Sequence, residues 1–282
     1  MSRLFLVVLA ALLVAVTGAS GGTKAFPKRI VSLSPSATES LFAIGAGGQV
    51  VAVDDQSDYP KNAPKTTLSG FTPNVEAIAG YKPDLVIVSY DPNNLVSTLR
   101  GLGIRVLVQD AAKTLTEAYA QIAALGRLTG HLKRANYVVG TMKKRIAELV
   151  AAGSQKARGL TVYHELGPDL YSATSSTFAG RVYALFGLKN IADAADTTGS
   201  GYPRLSAEYV VSQSPDIVVL ADIACCGQSP KTVAARPGWS SVKAVRSGTV
   251  VRIDDSIASR WGPRIVNFVR AVAAALAHVS RR

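Results

Sequence analysis

The chain has 282 residues, with 31 Lys+Arg against 19 Asp+Glu for a formal net charge of +12, and is 48% hydrophobic and 18% charged. These proportions exclude a disordered, collagenous or disulfide-scaffold chain, and the length suits one large domain or two modest lobes. Two cysteines and three histidines exclude a cysteine-rich zinc protein and leave no multi-histidine metal cage, so neither a metal site nor a resident cofactor is expected.

Residues 1–19 begin with Arg3, continue as an apolar run from Leu4 to Val16 and reach the small residues Thr17-Gly18-Ala19-Ser20. This reads as a secretory signal too short to span a membrane stably, with cleavage expected near Ala19 or Ser20. Val16-Thr17-Gly18 resembles the start of a lipoprotein box, but Ala19 stands where the lipid-accepting cysteine would be, which predicts release rather than tethering. The expected location is extracytoplasmic, in a periplasm or at the outer face of a cell membrane, where Cys225 and Cys226 meet oxidising surroundings.

From Lys24 onward, strand-like and helical runs alternate. Strands are expected at 30–33, 50–53, 85–88 and 105–108, with helices at 37–44, 75–79, 95–102 and 115–128; later strands fall at 160–163, 217–220 and 250–253. Alternation of this kind implies an α/β fold with mostly parallel sheets. Residues 131–152 place Leu132, Ala135, Val138, Val139, Met142, Ile146, Leu149 and Val150 on one helical face, with charged residues over much of the rest. At about 1.5 Å per residue this is a rod of roughly 33 Å, long enough to bridge two lobes. The expected organisation is a first lobe over 27–130, the rod over 131–152 and a second lobe over 159–282.

An internal echo supports two lobes of like build. Residues 73–88 align without gaps on 205–220, matching Glu76 with Glu208, Pro83 with Pro215, Asp84 with Asp216 and Val86 with Val218. Each copy reads as a short helix, a Pro-Asp turn and an apolar strand. The basic residues are scattered apart from Lys133-Arg134, Lys143-Lys144-Arg145 and Arg281-Arg282, and no nucleic-acid partner is expected.

Several of these stretches carry a resemblance. Residues 29–39 (RIVSLSPSATE), 51–60 (VAVDDQSDYP), 83–87 (PDLVI) and 262–265 (GPRI), in this order and spacing, resemble the substrate-binding proteins of ABC importers for cobalamin, ferric siderophores and haem. The resemblance implies two Rossmann-like lobes joined by one rigid helix, the class III periplasmic-binding fold, with a metal chelate held in the cleft between them. It also implies an ABC permease dimer with its ATPase as partner, on which one glutamate per lobe, here Glu76 and Glu208, would dock. The same glutamates also suit the first turn of a helix on electrostatic grounds alone. The protein itself is expected to be a monomer and not an enzyme.

In open α/β sheets ligands lie beyond the carboxyl ends of the strands. The corresponding loops carry Ser34, Gln56, Tyr59, Phe71 and Tyr90 from the first lobe, and Tyr171, Tyr202, Arg260 and Trp261 from the second. Large rings suit a flat macrocycle or an aromatic chelate. By resemblance, Tyr202 occupies an aromatic position of cobalamin binders and Arg260 matches a cleft arginine. Gly70 and Ser89 stand where some cobalamin binders carry tryptophan, with Phe71 and Tyr90 beside them. The main expectation is therefore capture of a cobalamin-like corrinoid or a ferric siderophore. A haem carrier is the alternative, with Tyr90 or His164 as axial ligand.

Cys225-Cys226 is compatible with a vicinal disulfide, with two free thiols or with thiolate metal binding. A secreted hydrolase using the carboxylate pairs Asp54-Asp55 or Asp254-Asp255 is the catalytic alternative, but no nucleophile elbow, phosphate loop or HExxH helix occurs.

Overall fold

The computed structural model describes residues 25–279. The leader, the residues compared with a lipoprotein box and Arg281-Arg282 lie outside the described residues. The first lobe runs β1 (Ile30–Leu33), α1 (Pro35–Ala43), β2 (Val50–Asp54), β3 (Lys65–Leu68), α2 (Val75–Gly80), β4 (Leu85–Val88), α3 (Leu95–Gly101), β5 (Arg105–Val108) and α4 (Leu115–Thr129). Its five strands are all parallel in the order β3-β2-β1-β4-β5. Helix α5 (Leu132–Gly153) follows, and then β6 (Thr161–Glu165), α6 (Phe178–Ala184), β7 (Lys189–Asn190), α7 (Ala207–Gln213) and β8 (Ile217–Leu220). Short helices α8 (Ile223–Cys226), α9 (Pro230–Ala234) and α10 (Lys243–Ser247) lead to β9 (Val250–Arg252), α11 (Asp255–Ser259) and α12 (Ile265–Val279). The second sheet is also parallel, in the order β7-β6-β8-β9.

Both sheets are covered on two faces, so the central strands β4 and β8 read as unbroken apolar runs whose alternate residues enter different cores. Leu85 and Ile87 of β4 join one cluster while Val86 and Val88 join another; Ile217 and Val219 of β8 are likewise separated from Val218 and Leu220. One cluster is continuous across the molecule: Ile30, Leu41 and Leu125 of the first lobe, Met142 and Ile146 of α5, Tyr183 and Phe186 of the second lobe, and Phe268 and Leu276 of α12. The two lobes are thus joined through a shared apolar seam along α5 and α12, not by a bare rod.

The echo has a structural cause. Asp84, just before β4, accepts from the backbone N–H groups of Lys28 (2.8 Å) and Arg29 (3.1 Å) at the start of β1. Asp216, just before β8, accepts from the N–H of Thr161 (2.8 Å) at the start of β6. In each lobe the Pro-Asp turn ties the entry of one central strand to its parallel neighbour, satisfying donors left free at a sheet end.

Beyond the expected set lie β3, β7, α12 and the short helices α6, α8, α9, α10 and α11 of the second half. β3 is half-exposed and Thr-rich, β7 has two residues, and α12 buries Ile265, Phe268, Val269, Val272 and Leu276 on one face. The edge strands are too short or too polar to announce themselves, because a neighbouring strand and not their own burial defines them.

Candidate functional site

The carboxyl ends of β1, β2, β4 and β5 open on one side of the first sheet, and the chain after each of them contributes to a single cavity of about 580 Å³. Ser34 and Ser36 come from the start of α1, Asp54 ends β2 and Gln56 follows it, Ser89 and Tyr90 follow β4, and Asp110 follows β5. Gly70 and Phe71 complete the first-lobe wall, and Ser259, Arg260 and Trp261 close it from the segment between α11 and α12. The volume falls within the roughly 300–1,000 Å³ usual for small-molecule sites.

The aromatic wall is held in place. The rings of Phe71 and Tyr90 lie 6.5 Å apart, and the Tyr90 hydroxyl donates to the Phe71 carbonyl (3.2 Å). Both rings are exposed, Phe71 at 67% and Tyr90 at 40%, so their apolar area is free for a ligand. Opposite residues are anchored as well: the Trp261 indole N–H donates to Gln121 Oε1 (2.9 Å), and its backbone N–H donates to Ser36 Oγ (3.3 Å). Ser34 is itself engaged, since its hydroxyl oxygen accepts from the Ala37 N–H and caps α1.

At the cavity edge sits an ion-pair cluster that links the chain ends across 200 residues of sequence. Arg260 Nη1 donates to Glu39 Oε1 (3.2 Å) and Asp58 Oδ1 (2.5 Å), while Nη2 donates to the Gln56 carbonyl (2.7 Å). Arg264 Nη2 donates to the same Glu39 oxygen (2.5 Å), and its guanidinium lies 4.3 Å from the Tyr59 ring centre. The Arg260 side chain therefore lines the cavity with its charge already paired.

The expected site residues divide into groups. Ser34, Gln56, Phe71, Tyr90, Arg260 and Trp261 line one cavity. Tyr59 lines a neighbouring hollow of about 470 Å³ formed by α1, α5 and α12, where it stacks on Arg264. Tyr171 and Tyr202 are exposed on second-lobe loops and line neither hollow; Tyr171 forms an antiparallel bridge with Arg204. Burial around the cleft thus comes from the first lobe and the 259–261 segment.

His164 is corrected as a haem ligand. It is fully buried in the second-lobe core between Tyr183 and Phe268, its Nδ1 shares a 2.5 Å hydrogen bond with the Tyr183 hydroxyl, and burial pushes its pKa down to about 4. A residue of β6 pointing into that core does not line the cavity. The carboxylate pair Asp254-Asp255 is also otherwise engaged: Asp254 caps α11 by accepting from the Ile257 N–H, and Asp255 accepts from the N–H groups of Ala224 (3.1 Å) and Cys225 (2.9 Å).

That second interaction holds α8, where exposed Cys225 and Cys226 are joined as a vicinal disulfide. Glu76 and Glu208 occupy the same place in their lobes, exposed in the first turns of α2 and α7, whose N-cap residues Asn74 and Ser206 each accept from the N–H three residues on. Among the described residues no group of three or more His, Cys, Asp and Glu is placed to hold a metal ion, and no helix is long and apolar enough to cross a membrane.

Two features escaped the sequence. One is Glu39, which is buried and meets Arg260 and Arg264 only through the tertiary fold. The other is a second-lobe cluster in which Arg236 pairs bidentately with buried Glu165 (2.6 and 2.7 Å) beside buried Asp222, whose pKa is raised by burial and by the Glu165 charge. A charged residue inside an apolar strand, as in the end of β6, is the signal that could have flagged Glu165.

Comparison with known proteins places this geometry. Residues 30–257 match the family model described as periplasmic binding protein. A cobalamin-binding protein of Halobacterium salinarum is 36% identical over 251 residues, covering 85% of this chain and 67% of that protein. The Bacillus subtilis ABC transporter substrate-binding lipoprotein YvrC, itself uncharacterised, is 33% identical over 256 residues, covering 88% and 79%. Among solved structures, the periplasmic vitamin B12 binding protein BtuF of Vibrio cholerae aligns with a TM-score of 0.73 at 26% identity, covering 91% of this chain and 99% of that one.

Proposed function

Because the chain belongs to the periplasmic binding protein family, we propose that it is the extracytoplasmic substrate-binding component of an ABC importer, capturing a metal chelate, foremost a cobalamin-like corrinoid, and delivering it to a permease. The observation that carries the reading is the cavity beyond the carboxyl ends of four parallel strands, walled by Phe71, Tyr90 and Trp261. A flat macrocycle gains most from such rings, which add stacking and edge contacts to area burial. The relatives that bind cobalamin or vitamin B12 support the corrinoid over other chelates.

In this reading Ser34, Gln56, Phe71, Tyr90, Arg260 and Trp261 contact the ligand, while Tyr171 and Tyr202 face it from the second lobe. Glu76 and Glu208 dock on cationic groups of the permease, one per lobe. Such rim charges guide orientation and association rate more than they add affinity. The shared seam along α5 and α12 limits how far the lobes swing, so capture proceeds with small hinge motion.

Tryptophan fluorescence tests the reading. The chain has two tryptophans. Trp261 lines the cavity, whereas Trp239 is fully buried in the second-lobe core. Titration with cyanocobalamin, haem and a ferric siderophore should quench the Trp261 fraction for the true ligand, and Trp261→Phe should abolish the quench. Saturating absence of any chelate binding, with turnover of an ester or phosphate instead, would overturn transport. Glu76→Ala with Glu208→Ala should leave ligand affinity unchanged and stop uptake into cells; lost ligand affinity would refute the docking role.

A further inference from the structure

Three charged side chains line the cavity: Asp54, Asp110 and Arg260. The cation is already compensated. Arg260 and Arg264 together face Glu39 and Asp58, two cations against two carboxylates, and a further Arg260 donor goes to the Gln56 carbonyl. What the cavity offers a ligand is therefore the charge of Asp54 and Asp110, in a chain whose overall charge is strongly positive.

Asp54 ends β2 and is only 2% exposed, yet its Oδ1 has no hydrogen-bond partner. Burial raises its pKa to about 6, against the lowering effects of the Ser57 hydrogen bond and the Arg260 charge, so at neutral pH it is mostly an undersatisfied carboxylate. It lies directly behind Gly70: a Cβ there would stand 2.9 Å from Asp54 Oδ2 and 3.1 Å from the Leu33 carbonyl. The wall at position 70 is thus bare backbone with a carboxyl group under it. Asp110 is exposed on the same cavity; Gln121 engages its backbone carbonyl, leaving the side chain to the cavity.

Resting on the chelate-capture reading, we propose that this cleft selects chelates fringed with N–H donors and carrying no net negative charge, with Asp54 and Asp110 as the specificity-determining residues. An amide or amine edge can donate to the exposed Asp110 carboxylate and feels the charge of Asp54 from behind Gly70. A carboxylate edge meets like charge, while the one cation lining the cavity is already paired with two carboxylates, and rejection by an unanswered charge is an effective source of specificity. The inference separates ligands by fringe rather than by metal: amide-fringed corrinoids are accepted, while macrocycles fringed with free carboxylates are disfavoured.

The test uses matched pairs on the purified protein at pH 7.5, read by Trp261 quenching: cobinamide against cobyrinic acid, which carry amides and carboxylates on the same corrin ring, and haem diamide against haem. The amide form should bind at least tenfold tighter in any pair that binds. The gap should shrink severalfold in Asp54→Asn/Asp110→Asn and in 0.5 M salt, with circular dichroism confirming that the variant is folded. Asp110→Asn alone, an exposed change, provides the same readout should the double variant not fold. Equal or tighter binding of the carboxylate form, or a gap unchanged by the substitutions, would overturn this inference alone. No binding by any of the four compounds would overturn the chelate-capture reading and this inference with it.

Discussion

Replacing Glu39 by alanine probes the cluster that ties residues 260–264 to the first lobe. The Glu39 side chain is 1% exposed, and the two arginine side chains it holds are 11% and 16% exposed, so all three charges are largely shielded from water. Removing one partner of a buried pair costs about 3–5 kcal/mol, because the other charge is left without compensation. Here Asp58 and the Gln56 carbonyl still hold Arg260, and the Tyr59 ring still covers Arg264. The expected loss is therefore at the low end, about 3 kcal/mol. With roughly 2–4 °C per kcal/mol for a protein of this size, Tm should fall by about 6–12 °C. Urea denaturation at pH 7.5 gives the free energy directly, and Glu39→Gln, which keeps an acceptor oxygen, should lose less. A cycle with Arg264→Ala should show coupling of at least about 1 kcal/mol. A loss for Glu39→Ala below about 1 kcal/mol, or additive single effects, would refute the claim that this cluster ties residues 260–264 to the first lobe.

Further perturbations act on other parts of the fold. Gly180→Ala should cost about 3 kcal/mol or more, or prevent folding, since its Cβ would overlap the backbone carbonyl of Thr174, and backbone cannot move aside as a side chain can; soluble yield and thermal melting report it. For His164, folded pKa about 4 against 6.5 unfolded, the unfolded chain takes up a proton that the native state refuses. Stability should then fall as pH drops from 6.5 toward 4, by up to about 3 kcal/mol, and level off below. His164→Phe should flatten that difference from the parent, which distinguishes it from Asp54, whose raised pKa gives a slope of opposite sign. Cys225 and Cys226 should react with iodoacetamide only after reduction, and Cys225→Ser/Cys226→Ser should shift Tm by less than about 2 °C, because a bridge between adjacent residues restrains little of the unfolded chain.

The layered α/β fold was legible in residue order alone. Strand and helix periods differ, β4 and β8 are apolar runs of four residues, and the rod of α5 shows its one-sided stripe without help from the rest of the chain. The echo of residues 73–88 in 205–220 was also visible, and its Asp84 and Asp216 prove to be the residues that tie central strands together. Strand-end logic brought six named residues to one cavity. The same logic scattered the rest: Tyr59 turned to stack on Arg264, and His164, on a strand like any other, faced the core.

What only the tertiary structure decided is how charges find one another. Glu39 and Arg260 are separated by 221 positions, and nothing local in either marks them as partners. Sequence periodicity reports whether a residue faces inward, because that depends on its own element; pairing depends on the register of elements far apart in the chain. The +12 of the whole chain therefore said nothing of its cleft. There, compensation of Arg260 by Glu39 and Asp58 leaves Asp54 and Asp110 as the charges a ligand would meet.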